Sequence, residues 1–252
     1  MPIDSAIETL LHHASVRDFQ ETPIPPAVLR TLEDVAQHTA TSQYMQQYTL
    51  IRVSEPALRQ QIAAVTTYDY VAGPGALYIF VVDQARNVQL AADQHAAIAR
   101  LTDWNAFLAG VFDAVLAAQN MVAAAETSGL GTVFLGSILN DPQRMIDLLH
   151  LPRYTFPLLG LRIGVPAHKP AEKPRLPHAL AVGENGYPHP AAAAALWAAY
   201  EETIHRYYAD RSSAPRDTDF ARMVAANSQS AAHHRGEIGR ILKQQGFSLP
   251  QD

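Results

Sequence analysis

The chain has no cysteine in its 252 residues, which excludes disulfides, thiolate metal sites and cysteine nucleophiles together. Charge is also sparse, at 17% of residues with a net of −5, and no stretch is basic enough to track a polyanion. That balance argues against a general nucleic-acid partner, although it leaves room for a local basic patch around an anion. Neither H-E-x-x-H nor G-x-S-x-G occurs, so the eleven histidines lack metal-ligand spacing and the serines lack a hydrolase elbow. No metal is expected. The start Met1-Pro2-Ile3-Asp4 lacks the charged-then-apolar plan of a secretory signal, and a cytoplasmic protein is the resulting expectation.

What the chain does have is one dominant apolar stretch. Between Trp104 and Ser128 most residues are Ala, Val, Leu, Phe or Met, and the polar Asp113, Asn120 and Thr127 fall seven apart on one narrow stripe. A helix apolar almost all round belongs inside something. The small residues Gly110, Ala114, Ala117, Ala118, Ala124 and Ala125 recur at helical spacing and suit close approach, either in the core or at a subunit interface. The length nearly reaches a membrane span, but Asp113, Gln119, Asn120 and Glu126 would each be costly in lipid, so a buried soluble helix and no membrane partner are expected.

Around it, strands are predicted near Tyr48–Val53, Ala76–Val82, Thr132–Leu135 and Phe156–Val165, with Ala76–Val82 a continuous apolar run that fits a central strand buried on both faces. Helical patterns cover Ile3–His13, a segment opened by Pro26, Ala57–Ala64, a patchy Arg86–Arg100, Pro142–Leu149 and Ala191–Ala209. Two more are expected between Asp217 and Gln245. Eight of the seventeen prolines lie from Pro152 to Pro190, marking an extended arm over about 166–190 ahead of a helical part over about 191–252. Strands separated by helices, with no internal repeat, predict a single domain over 1–252 built on one sheet.

Gly129, Gly131 and Gly136 do not make a dinucleotide fingerprint, because the spacing is G-x-G-x-x-x-x-G and the turn joins helix to strand rather than strand to helix. Gly129 is expected to end the helix in a left-handed conformation. Gly136, at a strand end, marks close approach of a flat ligand to the backbone. Two tracts, His13-Ala14-Ser15-Val16-Arg17 and Lys173-Pro174-Arg175, supply the cations and hydroxyl that phosphate binding needs in the absence of a P-loop.

These tracts, taken in order with Pro23-Ile24-Pro25, Thr39–Gln47 and Gly129-Leu130-Gly131-Thr132-Val133-Phe134-Leu135-Gly136, resemble the FMN-dependent nitroreductases, closest to the NADPH-using, oxygen-insensitive nitroreductase and flavin reductase group. The resemblance runs over nearly the whole chain and extends into Tyr207–Ser212 and Lys243–Phe247. It implies an α+β fold with a central mixed sheet flanked by helices, a long buried central helix and an entwined homodimer with FMN at the interface. The small-residue face of that helix becomes the expected contact with its symmetry mate.

By the same resemblance His13, Ser15 and Arg17, with the backbone of Ala14, hold the FMN phosphate and ribityl chain, and Lys173 and Arg175 face the phosphate and flavin edge. Thr41, Ser42 and Gln46 contact the ring, as does Tyr68. Phe134, Leu135, Gly136 and Ser137 flank the isoalloxazine, with the Gly136 N–H offered to N5. Arg235, matching a family arginine at the 2′-phosphate, and Arg216 are the expected NADPH anchors. Bulky Gln43 and Tyr44 depart from the family's small hydroxyl residues, and Ser137 stands where a second glycine is common. The implied activity is hydride transfer from NADPH through FMN to nitroaromatic, quinone or free flavin acceptors by a ping-pong mechanism. The alternative is a flavin-binding or storage protein with little turnover.

Overall fold

Three of the described helices begin on a proline, whose fixed φ and missing N–H suit a first helical turn and little else. In the computed structural model, which describes residues 5–211, 214–229 and 233–250, the elements follow in the order α1 (Ser5–Leu11), α2 (Pro26–Gln37), β1 (Tyr48–Val53), α3 (Pro56–Thr66), β2 (Ala76–Asp83), α4 (Ala85–Asp93), α5 (Trp104–Thr127), β3 (Gly131–Leu135), α6 (Pro142–Leu148), β4 (Thr155–Gly164), α7 (His178–Ala181), α8 (Ala193–Ala209), α9 (Phe220–Gln229) and α10 (Ile238–Gln244). The patchy segment after Arg86 resolves into α4 and a short 3-10 turn at Ala99–Leu101, parted at His95, whose φ of 55° no α-helix continues.

The four described strands form one sheet in the order β1-β2-β4-β3, with all three pairings antiparallel. β2 is central, as its unbroken apolar run predicts, and every residue from Leu77 to Asp83 is buried. Its alternate side chains serve opposite layers. Tyr78 and Phe80 join Leu161 and Ile163 against α2 and α5, while Leu77, Ile79 and Val81 join Val133 and Leu135 against α3 and α6.

α5 is long and apolar enough to cross a membrane by length and composition, but half of its most apolar stretch is buried inside the protein. Asp103 caps its start by accepting from the Ala106 N–H, and Gly129, at φ +79°, ends it in the left-handed conformation expected. The small-residue face does not await a partner. Ala114, Ala117, Ala118 and Ala125 are fully buried within the chain, and a Cβ at Gly110 would come 2.7 Å from Val82 Cγ1. Small side chains bring the helix down onto its own sheet, and the apolar flank left open is instead Phe112, Val115 and Leu116, at 59%, 43% and 52% exposure.

The chain divides into two compact units, Met1–Pro170 with Ala232–Asp252, and Ala171–Ala231. The first holds the sheet. The second is built on α8 and α9, where Tyr200, Ile204 and Tyr208 are buried with Leu176, Tyr207 and Phe220. Trp197 stacks on Phe220 with ring centroids 6.1 Å apart, and Glu201 accepts from the Phe220 and Ala221 N–H groups at the start of α9. A carboxylate there satisfies donors that a helix start leaves unpaired.

Candidate functional site

The tract His13–Arg17 is laid along the free edge of β3. The Val16 N–H donates to the Thr132 carbonyl at 2.8 Å, and a side chain at Gly131 would collide with Val16, its Cβ lying 2.7 Å from Val16 Cγ2. Glycine at 131 is thus what lets this tract sit against the strand. His13 places Nδ1 2.8 Å from Glu126 Oε1, and the Thr132 hydroxyl donates to the same carboxylate oxygen. That contact fixes the imidazole ring. A cavity of about 400 Å³, lined by His12, Ala14, Val16, Glu126 and Lys169 among others, opens beside the tract.

Arg17 is exposed, its Nη1 3.5 Å from the Ser15 carbonyl, and its own carbonyl accepts from Arg162 at 3.5 Å. Arg162 is 1% exposed. It lies over the Phe19 ring at 4.8 Å and near the Tyr70 ring at 5.8 Å, donates to the Pro74 carbonyl, and leaves Nε without a hydrogen-bond partner among the described residues. Burial first, and the neighbouring Arg59 second, pull its pKa down to about 10. A cation this deep is costly, and here carbonyls and ring faces take the place of a carboxylate. The one sequence signal for it was an arginine inside the otherwise apolar run of β4.

The loop holding Thr41, Ser42 and Gln46 is conformationally unusual. Gln43, Tyr44 and Gln46 all lie in the left-handed region, at φ 53°, 61° and 50°, although none is glycine. Several bonds hold it there. Asp113, on α5 and 1% exposed, accepts from the Ser42 N–H at 2.8 Å and the Gln47 N–H at 3.0 Å. Arg86 donates to the Gln46 carbonyl at 2.9 Å and the Tyr48 carbonyl at 2.7 Å, and Asn87 to the Met45 carbonyl at 3.1 Å. Asn120, the next member of the polar stripe, donates to Thr39 Oγ1 at 3.0 Å and to the Val35 carbonyl at 3.1 Å. Tyr44 is left 82% exposed at the tip.

Phe134 and Leu135 end β3, and Gly136 opens a 3-10 turn running to Asn140, with Ser137 half-buried within it. A Cβ on Gly136 would meet no atom of the described residues within 4 Å, and its φ is not left-handed. Among the described residues nothing therefore demands glycine here. Arg235 crosses to this turn and donates from Nη2 to the Gly136 carbonyl at 2.9 Å and to Asn140 Oδ1 at 3.2 Å. Asn140 in turn donates to the Thr66 carbonyl at 3.4 Å, next to the segment that carries Tyr68, whose ring stacks on Tyr70 at 5.4 Å.

Gly136, Arg235, Asn140 and the Tyr68 segment are thus one linked group, while the Thr41–Gln46 loop is anchored separately on α5. Lys173, Arg175 and Arg216 belong to the second unit. Both residues of the lysine–arginine pair are exposed, Arg175 donating to the Lys173 carbonyl at 2.6 Å, and the Arg216 N–H donates to the Tyr208 carbonyl at 3.0 Å. Among the described residues no group of three or more His, Asp or Glu could hold a metal ion. Glu126, Asn140 and Arg162 carry no sequence motif for a site role, since each acts through a partner distant in the chain.

Comparison with known proteins agrees with this architecture. An NADPH-dependent oxidoreductase of Staphylococcus saprophyticus is 33% identical, covering 94% of this chain and 96% of its own length. The FMN reductase (NADPH) of Bacillus subtilis is 31% identical over 98% of this chain and 99% of its own. The solved structure of the NfrA1 nitroreductase from B. subtilis superposes with a TM-score of 0.90 at 32% identity, covering 96% of this chain and 98% of that one. Residues 173–250 match the C-terminal domain of the nitroreductase family. With residues 10–165 matching the nitroreductase family itself, the chain belongs to that family.

Proposed function

We propose that the protein is an FMN-dependent oxidoreductase that uses NADPH to reduce nitroaromatics, quinones or free flavin by a ping-pong mechanism, as a cytoplasmic homodimer. Relatives named as an FMN reductase (NADPH) and an NADPH-dependent oxidoreductase support the donor and cofactor. The observation that carries the reading is Gly136, a glycine that neither packing nor φ requires, set in a turn braced by Arg235. Its open side suits a flat ring laid against the backbone.

FMN, when bound, supplies a two-electron carrier that takes a hydride from NADPH and returns it to the acceptor. The chain's own contribution is positional and electrostatic. His13, Ser15 and Arg17 would hold the phosphate and ribityl chain, with Lys173 and Arg175 assigned to the same end by the family resemblance. His13 suits this role because Glu126 orients its ring. Thr41, Ser42, Gln46, Tyr68, Phe134, Leu135 and Ser137 would border the ring, and the Gly136 N–H would be offered at N5. Fixed backbone donors and nearby cations stabilise a carrier that gains negative charge on reduction, so no acid–base side chain is needed for the hydride step. Arg235 would also meet the 2′-phosphate of NADPH, with Arg216 as a second anchor. The Arg235 guanidinium beside that turn suits a nucleotide phosphate, which supports turnover over storage. The open flank of α5, Phe112, Val115 and Leu116, is the surface proposed for the symmetry mate.

The test is direct. Purified protein should be yellow, and its flavin absorbance should bleach when NADPH is added without oxygen. A protein that neither carries nor takes up FMN would overturn the proposal, and a flavoprotein that NADPH leaves oxidised would return it to storage.

A further inference from the structure

We infer that Asp113 is a positioning residue for the ring-contact loop, acting through its hold on the Ser42 and Gln47 backbone. This rests on the flavin reading of Thr41, Ser42 and Gln46, but the hold itself does not. The Asp113 side chain comes from the middle of the core helix α5 and is 1% exposed. Each carboxylate oxygen has a separate task. Oδ1 accepts from the Ser42 N–H at 2.8 Å, and Oδ2 accepts from the Gln47 N–H at 3.0 Å and from Gln47 Nε2 at 3.3 Å.

The two anchored amides bracket the stretch that contains Gln43, Tyr44 and Gln46, three non-glycine residues with positive φ. Left-handed backbone in long side-chain residues persists only where the surroundings over-determine it. Here the surroundings are this carboxylate, Arg86 and Asn87 on the far side, and a buried amide pair in which Gln84 donates to Gln47 Oε1 at 2.6 Å. Gln47 Nε2 adds a 3.5 Å contact to the Ser42 carbonyl, and Asp113 reaches both ends of the strained stretch from the core helix α5. Its ionised form accepts only, which is what two backbone donors and an amide donor require. Asparagine, with the same shape, would set an amide N–H₂ against one of those donors.

The experiment compares wild type, Asp113→Asn, and Asp113→Asn combined with Gln43→Gly. In the single variant the Ser42 and Gln47 amides should exchange hydrogen faster while the amides of β2 remain protected. FMN affinity should fall about tenfold, and the visible circular dichroism of bound flavin should change. Glycine adopts the conformation of Gln43 without strain, so Gln43→Gly should recover a large part of the lost affinity. Damage to the core alone would not be repaired from position 43.

Unchanged exchange at Ser42 and Gln47 overturns the inference, as does a loss of affinity that Gln43→Gly leaves untouched. If wild type itself binds no FMN, the flavin reading fails, and the exchange measurement alone decides whether Asp113 holds the loop. Should Asp113→Asn not fold, Gln47→Met, read against Gln84→Met as the control for the lost Gln84–Gln47 amide bond, removes one of the three donors while keeping the carboxylate. It should show a smaller change of the same kind, and wild-type exchange and flavin dichroism in it would overturn the inference.

Discussion

Arg235 and Gly136, 99 residues apart in the chain, are joined by a 2.9 Å hydrogen bond from guanidinium Nη2 to carbonyl oxygen. The bond ties the C-terminal segment to the turn that follows β3. It also gives Arg235 two tasks, bracing that turn and presenting positive charge beside it. Arg235→Ala should therefore lower kcat/KM with both NADPH and NADH, and the fall should be larger for NADPH by about tenfold, the value of one charge-assisted hydrogen bond. Steady-state kinetics with the two donors checks this. An equal loss with both would confine Arg235 to the turn.

Two glycines separate ligand demand from packing demand. Gly136→Ala adds a methyl that meets no atom of the described residues, so folding stability should change by less than about 0.5 kcal/mol while NADPH-driven flavin reduction slows. At Gly164 a Cβ would lie 2.5 Å from Phe19 Cγ, and Gly164→Ala should cost about 1–3 kcal/mol through overpacking. Denaturant unfolding of the two variants, beside stopped-flow reduction, shows whether the glycine at 136 is kept for the fold or for the ligand.

Arg17→Ala should weaken FMN retention by about 1–3 kcal/mol through loss of a charge-assisted phosphate contact, with little effect on the fold because the side chain is exposed. Lys173→Ala carries the same expectation from the family resemblance. Fluorimetric titration of apoprotein with FMN measures both, and undiminished affinity in the two variants would remove the phosphate assignment.

Tyr78 is fully buried and donates to Glu33 Oε1 at 3.0 Å. Burial first, and Glu33 second, raise its pKa above the ordinary 10. The folded protein keeps this proton where the unfolded chain has released it, so the stabilisation is complete below pH 10 and is lost as pH rises beyond it. Tyr78→Phe should therefore show a shallower loss of stability with pH on the alkaline side than wild type. Urea midpoints measured at intervals from about pH 8 to about pH 11 test the slope.

Phe112→Glu places a charge on the open apolar flank of α5 without touching the buried alanines on its other side. If that flank is where two copies meet, the variant should sediment as a monomer while retaining its helical circular dichroism, because a buried, unpaired carboxylate disfavours association. A wild-type sedimentation coefficient in the variant would place the dimer contact elsewhere.

Much of this molecule is legible in local chemistry. Prolines 26, 56 and 142 open helices because a first turn needs no N–H from them, and Gly129 ends α5 because its left-handed turn suits a residue without a Cβ. The unbroken apolar run at Ala76–Val82 marks the central strand, since only a strand covered on both faces needs no polar alternation. The ordered tracts from His13 to Arg175 carry the family resemblance without any structure.

Tertiary structure alone decides which side of α5 is covered. A helix apolar nearly all round has no periodicity to say so, and the small residues turn out to face its own sheet. It alone shows that the left-handed residues at 43, 44 and 46 exist at all. No glycine or turn motif announces them, because the groups that hold them there, chief among them Asp113, come from elements distant in sequence. The same holds for Arg162, whose burial is offset by two carbonyls and two aromatic faces from other segments, and for Arg235, whose partner at Gly136 is set by the fold rather than by spacing.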